Sequence, residues 1–247
     1  MAAKRVLVVF GATGLQGGSV VKAVLGDAKV KERWTVRGVI CDLSKAISKS
    51  SGADLNNVSS LKTALQGAYA VFAVTDCWES HSTDAEMKQG KAMADAAKID
   101  FSGRLSKGVL TQVLHSDSKA HIERYIRDTG LPATYFMPGF HMSNVPGSNF
   151  RQAPPNNDWA FALPVPSSSP IPLLSTADDV GKFVMGILLN REKVLGKQIY
   201  GATDYQTPDQ IAQPFKEQFP EAGKTAKSVE LLHQVFKEIL GSKGMPA

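Results

Sequence analysis

The chain has 247 residues, of which 43% are hydrophobic and 21% are charged, with 28 Lys and Arg against 23 Asp and Glu and a net charge of +5. This length allows one or two domains with a sizeable core, and the balance of apolar and charged residues excludes wholesale disorder. No apolar run approaches the ~18 residues of a transmembrane helix, and the scattered cations argue against nucleic-acid binding. Two cysteines cannot form a disulfide framework, so we expect an intracellular protein.

The N-terminal half alternates strand-like and helix-like segments. Apolar, β-branched runs predict strands at residues 6–10, 34–40, 68–75 and 133–137. Asn57 is the predicted cap of one intervening helix, Thr83 and Glu86 form a predicted capping box for the next, and Asp117 or Ser118 is the predicted cap of a third. This alternation predicts an α/β fold with a doubly wound parallel sheet.

The second half of the chain has a different amino-acid composition. Pro and Ser accumulate between Pro146 and Pro172, which predicts long loops. Shorter elements are expected beyond them, with strands at 171–174 and 198–201 and helices at 178–189, 207–219 and 228–240. We therefore predict a dinucleotide-binding domain at residues 1–139 and a smaller α+β lobe at 140–247, interleaved with the first domain in one compact unit.

A glycine-rich turn, GATGLQGG at residues 11–18, directly follows the first strand and opens the first helix. The spacing is G-x-x-G-x-x-G, in which Gly11 permits a sharp turn, Gly14 lets the backbone approach a pyrophosphate and Gly17 allows close packing of helix on strand. Thr13 and Gln16 can add side-chain hydrogen bonds to phosphates. The pattern predicts dinucleotide binding, and the alternative is a tight turn with a purely structural role.

Together with this turn, three further stretches resemble the NmrA-like family of atypical short-chain dehydrogenase-like proteins. They are ADLNNVSSLKTALQGAYAVFAVTD at 53–76, HSDSKAHIERYIRDTGLPATYFMPGFHMSN at 115–144 and STADDVGKFV at 175–184. The resemblance implies a Rossmann-type NAD(P)-binding domain with a small C-terminal lobe. Members of the family are either cofactor-sensing regulators or reductases, and fold analogy alone does not choose between these.

The resemblance also implies a set of cofactor-binding residues. They are Gly11, Thr13, Gly14, Leu15, Gln16, Gly17, Cys41, Asp54, Leu55, Val74, Thr75 and Lys119. Asp54 and Leu55 are the predicted adenine contacts, and Lys119 is the predicted ligand of the nicotinamide ribose, with a surface lysine as the alternative. The family has Arg where this chain has Cys41, so the cofactor is NADP or NAD, with Lys45 or Arg37 as substitute cations for a 2′-phosphate. The segments 42–53 and 98–107 are shorter than the family pattern.

The catalytic pattern of ordinary short-chain dehydrogenases, a Tyr four residues before a Lys, is incomplete. His115 stands four residues before Lys119. Histidine can transfer protons near neutral pH, so His115 is the candidate catalytic residue, and a hydrogen-bonded structural histidine is the alternative. The predicted substrate cleft contains Trp78, Phe140, His141 and Asn144, although the last three can instead belong to a loop with only a packing role. No His, Cys and Asp spacing predicts a metal site.

Three functions remain open at this level. The first is an NAD(P)-binding sensor of cofactor or redox state that regulates a protein partner in the cytoplasm or nucleus, without direct contact with nucleic acid or membrane. The second is an NAD(P)H-dependent oxidoreductase that reduces a small carbonyl or quinone-type acceptor. The third is a degenerate Rossmann protein that binds no dinucleotide.

Overall fold

The structure, a computed structural model, describes residues 3–40, 50–75, 82–96, 100–101, 114–145, 149–153 and 156–242. The chain divides into two compact units. The first contains the described residues of Met1–Met137 and Ala177–Tyr200, and the second contains those of Pro138–Thr176 and Gly201–Met245. Among the described helices, none is both long and apolar enough to cross a membrane.

The first unit is built on a parallel five-stranded sheet. Its strands are β1 (Arg5–Phe10), β2 (Trp34–Ile40), β3 (Ser50–Gly52), β4 (Ala70–Ala73) and β5 (Asp100–Phe101). They lie in the order β3-β2-β1-β4-β5, and neighbouring strands in this sheet pair in parallel. Leu7, Val8 and Val9 in the central strand are fully buried, as expected for a strand covered on both faces. The predicted doubly wound α/β fold is confirmed.

The helices of the first unit connect these strands and follow them. They are α1 (Leu15–Gly26), α2 (Ala28–Arg33), α3 (Val58–Leu65), α4 (Thr83–Ala96), α5 (Leu114–Asp128), α6 (Val180–Leu189) and α7 (Arg191–Val194). Strands β6 (Tyr135–Pro138) and β11 (Gln198–Gly201) form a separate two-stranded sheet. Asn57 caps α3 as predicted, because its side-chain oxygen accepts hydrogen bonds from the backbone N–H groups of Ser59 and Ser60.

Helix α6 packs directly on α1, which places residues 177–200 in the first unit instead of the lobe predicted from residue 140 onward. The two helices approach at Gly181, where an added Cβ would lie 2.1 Å from the carbonyl oxygen of Ser19. The backbone N–H of Gly181 donates to Ser19 Oγ at 2.9 Å. Such an approach depends on residues 162 positions apart in the chain, so local sequence pattern does not reveal it.

The second unit contains two three-stranded sheets and two helices among its described residues. Its remaining strands are β7 (Phe140–His141), β8 (Phe150–Ala153), β9 (Asp158–Leu163), β10 (Ile171–Leu174), β12 (Asp204–Gln206) and β13 (Lys227–Glu230). The sheets have the orders β12-β10-β7 and β13-β9-β8. The helices are α8 (Pro208–Gln218) and α9 (His233–Ser242), and Met142–Asn144 forms a 3₁₀ turn.

Two predictions for this unit are wrong. Part of the stretch predicted as long loops forms strands β8 and β9, which pair with each other in an antiparallel hairpin. The segment predicted as a helix over 228–240 starts instead within strand β13, which pairs with β9 before helix α9 begins. Phe150 of β8 packs against Trp159 of β9 and Phe215 of α8, so tertiary burial stabilises strands whose flanking Pro and Ser residues signal loops.

Candidate dinucleotide-binding site

The glycine turn joins the carboxyl ends of two neighbouring strands of the parallel sheet. Gly11 follows β1 with a φ of +63°, a backbone conformation that glycine adopts without strain. The Gly14 N–H donates to the Gly11 carbonyl at 2.9 Å, and the Ala12 N–H donates to the Val39 carbonyl of β2 at 3.4 Å. These bonds fold the turn back over the strand ends, the edge where open α/β sheets bind their ligands.

Gly17 and Gly14 serve different purposes in this turn. A Cβ added at Gly17 would lie 2.2 Å from the Gly11 carbonyl oxygen, so the close packing of α1 on the turn requires glycine there, as predicted. Gly14 is exposed, has an ordinary φ of −83°, and an added Cβ would lie 3.3 Å from the same oxygen. The space around Gly14 is therefore open on the side away from the protein.

The N-terminus of α1 has the chemical character of an anion site. Gly14 is its N-cap, no side chain caps it, and the first turn contains no acidic residue. The first backbone N–H groups of a helix have no intrahelical partners, and the helix dipole adds positive charge there. These features fit a pyrophosphate, because phosphate groups bind at glycine-rich helix N-termini of this kind.

The end of β4 lies against the glycine turn. A Cβ added at Gly11 would be 3.3 Å from Val74 Cγ1, so Val74 contacts the position where the chain turns. Thr75 follows Val74 and is 5% exposed. Two of the predicted cofactor-binding residues are therefore placed at the sheet edge that also carries the glycine turn.

Thr75 belongs to a buried polar cluster that also contains Glu86, Ser118 and Lys119. Glu86 lies in the first turn of α4 and is completely buried. Its Oε1 accepts a hydrogen bond from Thr75 Oγ1 at 2.7 Å and forms an ion pair with Lys119, while its Oε2 accepts a hydrogen bond from Ser118 Oγ. The cluster joins the end of β4 to helices α4 and α5.

Lys119 is held by three protein oxygens. Its ammonium donates to the Thr75 carbonyl at 2.8 Å and to Thr75 Oγ1, and it pairs with Glu86 Oε1. An ammonium has three donors, so these acceptors match its full capacity. The Lys119 side chain nevertheless remains 17% exposed, in contrast to the buried Glu86. A ribose hydroxyl at Lys119 would therefore have to replace one of the protein contacts.

Two predicted helix caps near this cluster are wrong. Helix α4 begins at Thr83, and Ser82 Oγ accepts the Ala85 N–H at 3.2 Å, so Ser82 is the capping residue. The Glu86 carboxylate turns into the buried cluster instead of completing a capping box. Helix α5 begins at Leu114, so the predicted caps at 117 and 118 lie inside it. Sequence reasoning therefore missed Glu86, whose only signal was a carboxylate at a helix start.

The predicted adenine contacts lie beyond β3. Asp54 is exposed, and its Oδ1 accepts hydrogen bonds from the backbone N–H and the side-chain amide of Asn56 at 2.8 and 3.2 Å. Leu55 is half-buried beside it. The Ala53 N–H donates to the Ile40 carbonyl, which ties this segment to the end of β2. The adenine role of Asp54 and Leu55 stays a prediction.

Arg37 has a structural task in this unit. Its Nη1 donates to the carbonyl oxygens of Ala64 and Gln66, both at 2.8 Å, and so binds the C-terminal end of α3. This use argues against Arg37 as a substitute cation for a 2′-phosphate. Cys41 and Lys45 lie outside the described residues.

The remaining predicted site residues are distributed between the two units. His115 belongs to helix α5, one turn before Lys119, and Trp78 lies outside the described residues. Phe140 and His141 form strand β7 of the second unit, where Phe140 packs edge-on against Phe161. Asn144 is exposed at the end of the 3₁₀ turn. The catalytic and substrate-cleft roles of these residues stay predictions.

The structure describes every tyrosine of the chain: Tyr69, Tyr125, Tyr135, Tyr200 and Tyr205. Tyr125 Oη donates to Asp95 Oδ1 at 2.6 Å, and this hydrogen bond raises the pKa of Tyr125. Tyr135 is 1% exposed in the core, and the other three are exposed. None stands four residues before Lys119, so helix α5 lacks the usual proton donor of short-chain dehydrogenases. The described residues also contain no cluster of metal-ligating side chains.

The parallel sheet, the glycine turn and the open helix N-terminus define a Rossmann-type α/β protein of the dinucleotide-binding class. A model of the NmrA-like family matches residues 3–247. The chain therefore belongs to the NmrA-like family, as the sequence resemblance predicted.

Two curated relatives illustrate the range of this family. The chain is 25% identical over 282 aligned residues to cpsB, an NmrA-like family domain-containing oxidoreductase of Aspergillus campestris, an alignment that covers 99% of this chain and 80% of cpsB. It is 26% identical over 239 residues to the nitrogen metabolite repression protein nmrA of Emericella nidulans, covering 86% of this chain and 65% of nmrA.

Solved structures show the same fold. Crystal structures of NmrA, a negative transcriptional regulator, in complex with NADP and with NAD each match with a TM-score of 0.73 and 23% identity, covering 92% of this chain and 74% of NmrA. The triphenylmethane reductase of Citrobacter sp. complexed with NADP(H) matches with a TM-score of 0.71 and 16% identity, covering 98% of this chain and 84% of the reductase. At these identities the similarity establishes the fold.

Proposed function

We propose that this protein binds NAD(H) or NADP(H) and acts as a cofactor-sensing regulator of a protein partner. One observation carries the proposal: an intact glycine turn with an open helix N-terminus stands beside a helix that lacks the tyrosine of the dehydrogenase pattern. The glycine turn suits the phosphates of a dinucleotide, whereas helix α5 lacks the usual proton donor for hydride transfer. A cytoplasmic or nuclear location belongs to the same proposal.

We propose that residues of the first unit hold the dinucleotide. The backbone N–H groups at Leu15 and Gln16 would bind the pyrophosphate, with Thr13 as an additional donor. Asp54 would accept from the adenine amino group, and Lys119 would bind the nicotinamide ribose. The complexes of NmrA with NADP and NAD and of the Citrobacter reductase with NADP(H) support a nicotinamide dinucleotide as the ligand.

Regulation would follow from the effect of binding on the loops beyond the strands. A ligand that binds one conformation more tightly shifts the population toward it. The loops at the carboxyl edge of the sheet include the glycine turn and the segment after β4, so occupancy by dinucleotide would change the surface that a partner meets. The nitrogen metabolite repression protein among the relatives supports a regulatory role.

A second candidate is an NAD(P)H-dependent oxidoreductase that acts on a small carbonyl or quinone-type acceptor. It is favoured by the relatives, because cpsB and several others are NmrA-like oxidoreductases. In this case the bound cofactor supplies the hydride, and the protein supplies orientation and a route for the proton. His115, one helical turn before Lys119, is the residue proposed for that proton.

The test measures binding and turnover separately. NADH and NADPH are titrated against the protein by fluorescence, and consumption of each is then followed with a panel of quinones, aryl ketones and triphenylmethane dyes. We expect binding of at least one dinucleotide and no turnover. Brisk turnover that is lost in His115→Ala with unchanged affinity would favour the oxidoreductase, and failure to bind either dinucleotide would refute both proposals.

A further inference from the structure

We propose that Glu86 is a positioning residue for dinucleotide binding, which acts by holding Lys119 at the end of β4 where the nicotinamide ribose is bound. The inference rests on the proposed function, because it assigns Glu86 a task only if Lys119 contacts the ribose. The sequence pattern assigned this carboxylate only to a helix capping box.

The contacts of Glu86 define what it can do. Both oxygens are used, since Oε1 accepts from Thr75 Oγ1 and pairs with Lys119 while Oε2 accepts from Ser118 Oγ. These partners come from the end of β4 and from helix α5: along the chain, Thr75 is 11 residues from Glu86 and Ser118 is 32 residues from it. Glu86 therefore fixes the position of α5, and with it Lys119, relative to the strand end that touches the glycine turn.

The burial of Glu86 favours a role beyond stability. A fully buried carboxylate loses its hydration, and replacing a buried ion pair with apolar residues is often neutral or stabilising. Lys119, by contrast, keeps 17% of its side chain exposed, so the pair has one buried member and one that reaches solvent. This arrangement suits a role in which the buried Glu86 holds the Lys119 ammonium from the protein interior while the exposed side of Lys119 faces the ligand.

The contacts of Lys119 show how it can accept a ligand while remaining fixed. Thr75 supplies two of its three acceptors, the carbonyl and Oγ1. A ribose hydroxyl can replace the Thr75 Oγ1 contact, and Thr75 Oγ1 keeps its own hydrogen bond to Glu86. The ion pair with Glu86 and the bond to the Thr75 carbonyl then keep the ammonium in place during the exchange.

A second buried glutamate on α5 provides a matched control. Glu123 is 2% exposed and accepts hydrogen bonds from Arg127 Nε at 2.8 Å and from Gln198 Nε2 at 3.0 Å. Its partners do not include Thr75, Ser118 or Lys119. Glu123→Gln therefore reports what loss of a buried carboxylate does to the first unit in general, and Glu86→Gln reports the same loss at the proposed site.

The experiment is a double-mutant cycle read by dinucleotide affinity. The dissociation constants of NADH, NADPH and ADP are measured by calorimetry for the wild type, Glu86→Gln, Lys119→Met, the double variant and Glu123→Gln, well below each melting temperature. We expect Glu86→Gln to weaken binding of the preferred dinucleotide about tenfold, because the neutral amide keeps an acceptor oxygen but loses the negative charge that pairs with the Lys119 ammonium. The same change in the Lys119→Met background should have no further effect.

Two comparisons separate positioning from general loosening. Binding of ADP, which lacks the nicotinamide ribose, should be unchanged in Glu86→Gln, and dinucleotide binding should be unchanged in Glu123→Gln. The proposal is overturned if Glu86→Gln weakens dinucleotide binding equally in the wild-type and in the Lys119→Met backgrounds. It is also overturned if Glu86→Gln weakens ADP binding as much as dinucleotide binding, or if Glu123→Gln weakens dinucleotide binding as much as Glu86→Gln does.

The outcomes also distinguish this inference from the proposed function. If neither dinucleotide binds to the wild type, the proposed function fails and the role of Glu86 fails with it. If Lys119→Met weakens binding and Glu86→Gln does not, only the inference fails. Should Glu86→Gln not fold, Ser118→Ala replaces it in the test, because this variant removes one hydrogen bond to Glu86. If Ser118→Ala weakens dinucleotide binding in the wild type but not in the Lys119→Met background, the proposal is supported. If Ser118→Ala does not weaken binding, the proposal is overturned.

Discussion

Three glycines of one turn have distinct physical requirements. Gly11 requires glycine for its positive φ, and Gly17 requires it because a side chain would collide with the Gly11 carbonyl. Gly14 has an ordinary φ, and an added Cβ would meet only the Gly11 carbonyl oxygen within 4 Å, at the milder distance of 3.3 Å. The space at Gly14 is therefore available to a ligand, which makes this position the most direct test of phosphate binding.

Gly14→Val should weaken dinucleotide binding at least about tenfold, equivalent to about 1.4 kcal/mol. The added side chain would occupy the space at the helix N-terminus, and its Cβ would lie 3.3 Å from the Gly11 carbonyl oxygen, a contact that a small backbone shift relieves. Calorimetric titration with NADH and NADPH measures the change. Gly26→Val is the matched control, because Gly26 lies at the other end of α1 with no atom within 4 Å of an added Cβ. Unchanged affinity in a folded Gly14→Val variant would contradict the assignment of this turn.

Glu86 illustrates the limit of prediction at the residue scale. Its position three residues after Thr83 matches a capping box, and the local pattern offers no other reading. In the structure α4 begins one residue earlier than that pattern requires, and the carboxylate is directed to Thr75, Ser118 and Lys119. The partners that decide its role are remote in sequence, so no window of a few residues contains the information.

At the scale of elements, the starts of helices α3 and α8 were predicted correctly, whereas the caps predicted for α4 and α5 were wrong. Helix α3 begins at Val58 after the Asn57 cap, and α8 begins at Pro208 after Thr207, which forms a capping box with Gln210. Strand β2 spans Trp34–Ile40, the same residues that its apolar pattern indicates. These signals act between residues that are close together in the chain, so the structure agrees with them.

Asn57→Ala should destabilise the first unit by about 1 kcal/mol, because the backbone N–H groups of Ser59 and Ser60 lose their acceptor. Chemical denaturation followed by circular dichroism measures the loss. Asn57→Asp keeps an acceptor oxygen at the cap and should remain near the wild type. A cost of the same size for both substitutions would show that the oxygen acceptor is not what stabilises the helix start.

At the scale of the whole molecule, binding and stability are linked. A ligand that binds only the folded state stabilises it, by about 2.7 kcal/mol when its free concentration is a hundred times its dissociation constant. NADH or NADPH at that excess should raise the melting temperature by roughly 5–10 °C for a chain of this size. Differential scanning fluorimetry measures the shift. Gly14→Val should show a much smaller shift at the same concentration, and an equal shift would place the binding elsewhere.

The division into two units was predicted only in part. The sequence separates an N-terminal α/β region from a Pro- and Ser-rich region. The boundary between the two units of the structure, at Pro138, lies close to this change of composition. An interleaved arrangement was predicted, but not that residues 177–200 are the part belonging to the first unit, because this depends on the packing of Gly181 against Ser19. An amphipathic helix pattern shows that a face is buried and does not show against which element.

The sequence by itself determined the parallel α/β sheet, the glycine turn that follows β1, and membership of the NmrA-like family. The sheet and the turn follow from local patterns, since strand and helix periodicity and glycine spacing act over a few residues, whereas family membership follows from the resemblance of several stretches along the chain. Only the tertiary structure decided that Glu86 meets Lys119, that α6 packs on α1, and that β13 pairs with β9. These depend on contacts between residues far apart in the chain, where burial and hydrogen-bond satisfaction outweigh local propensity.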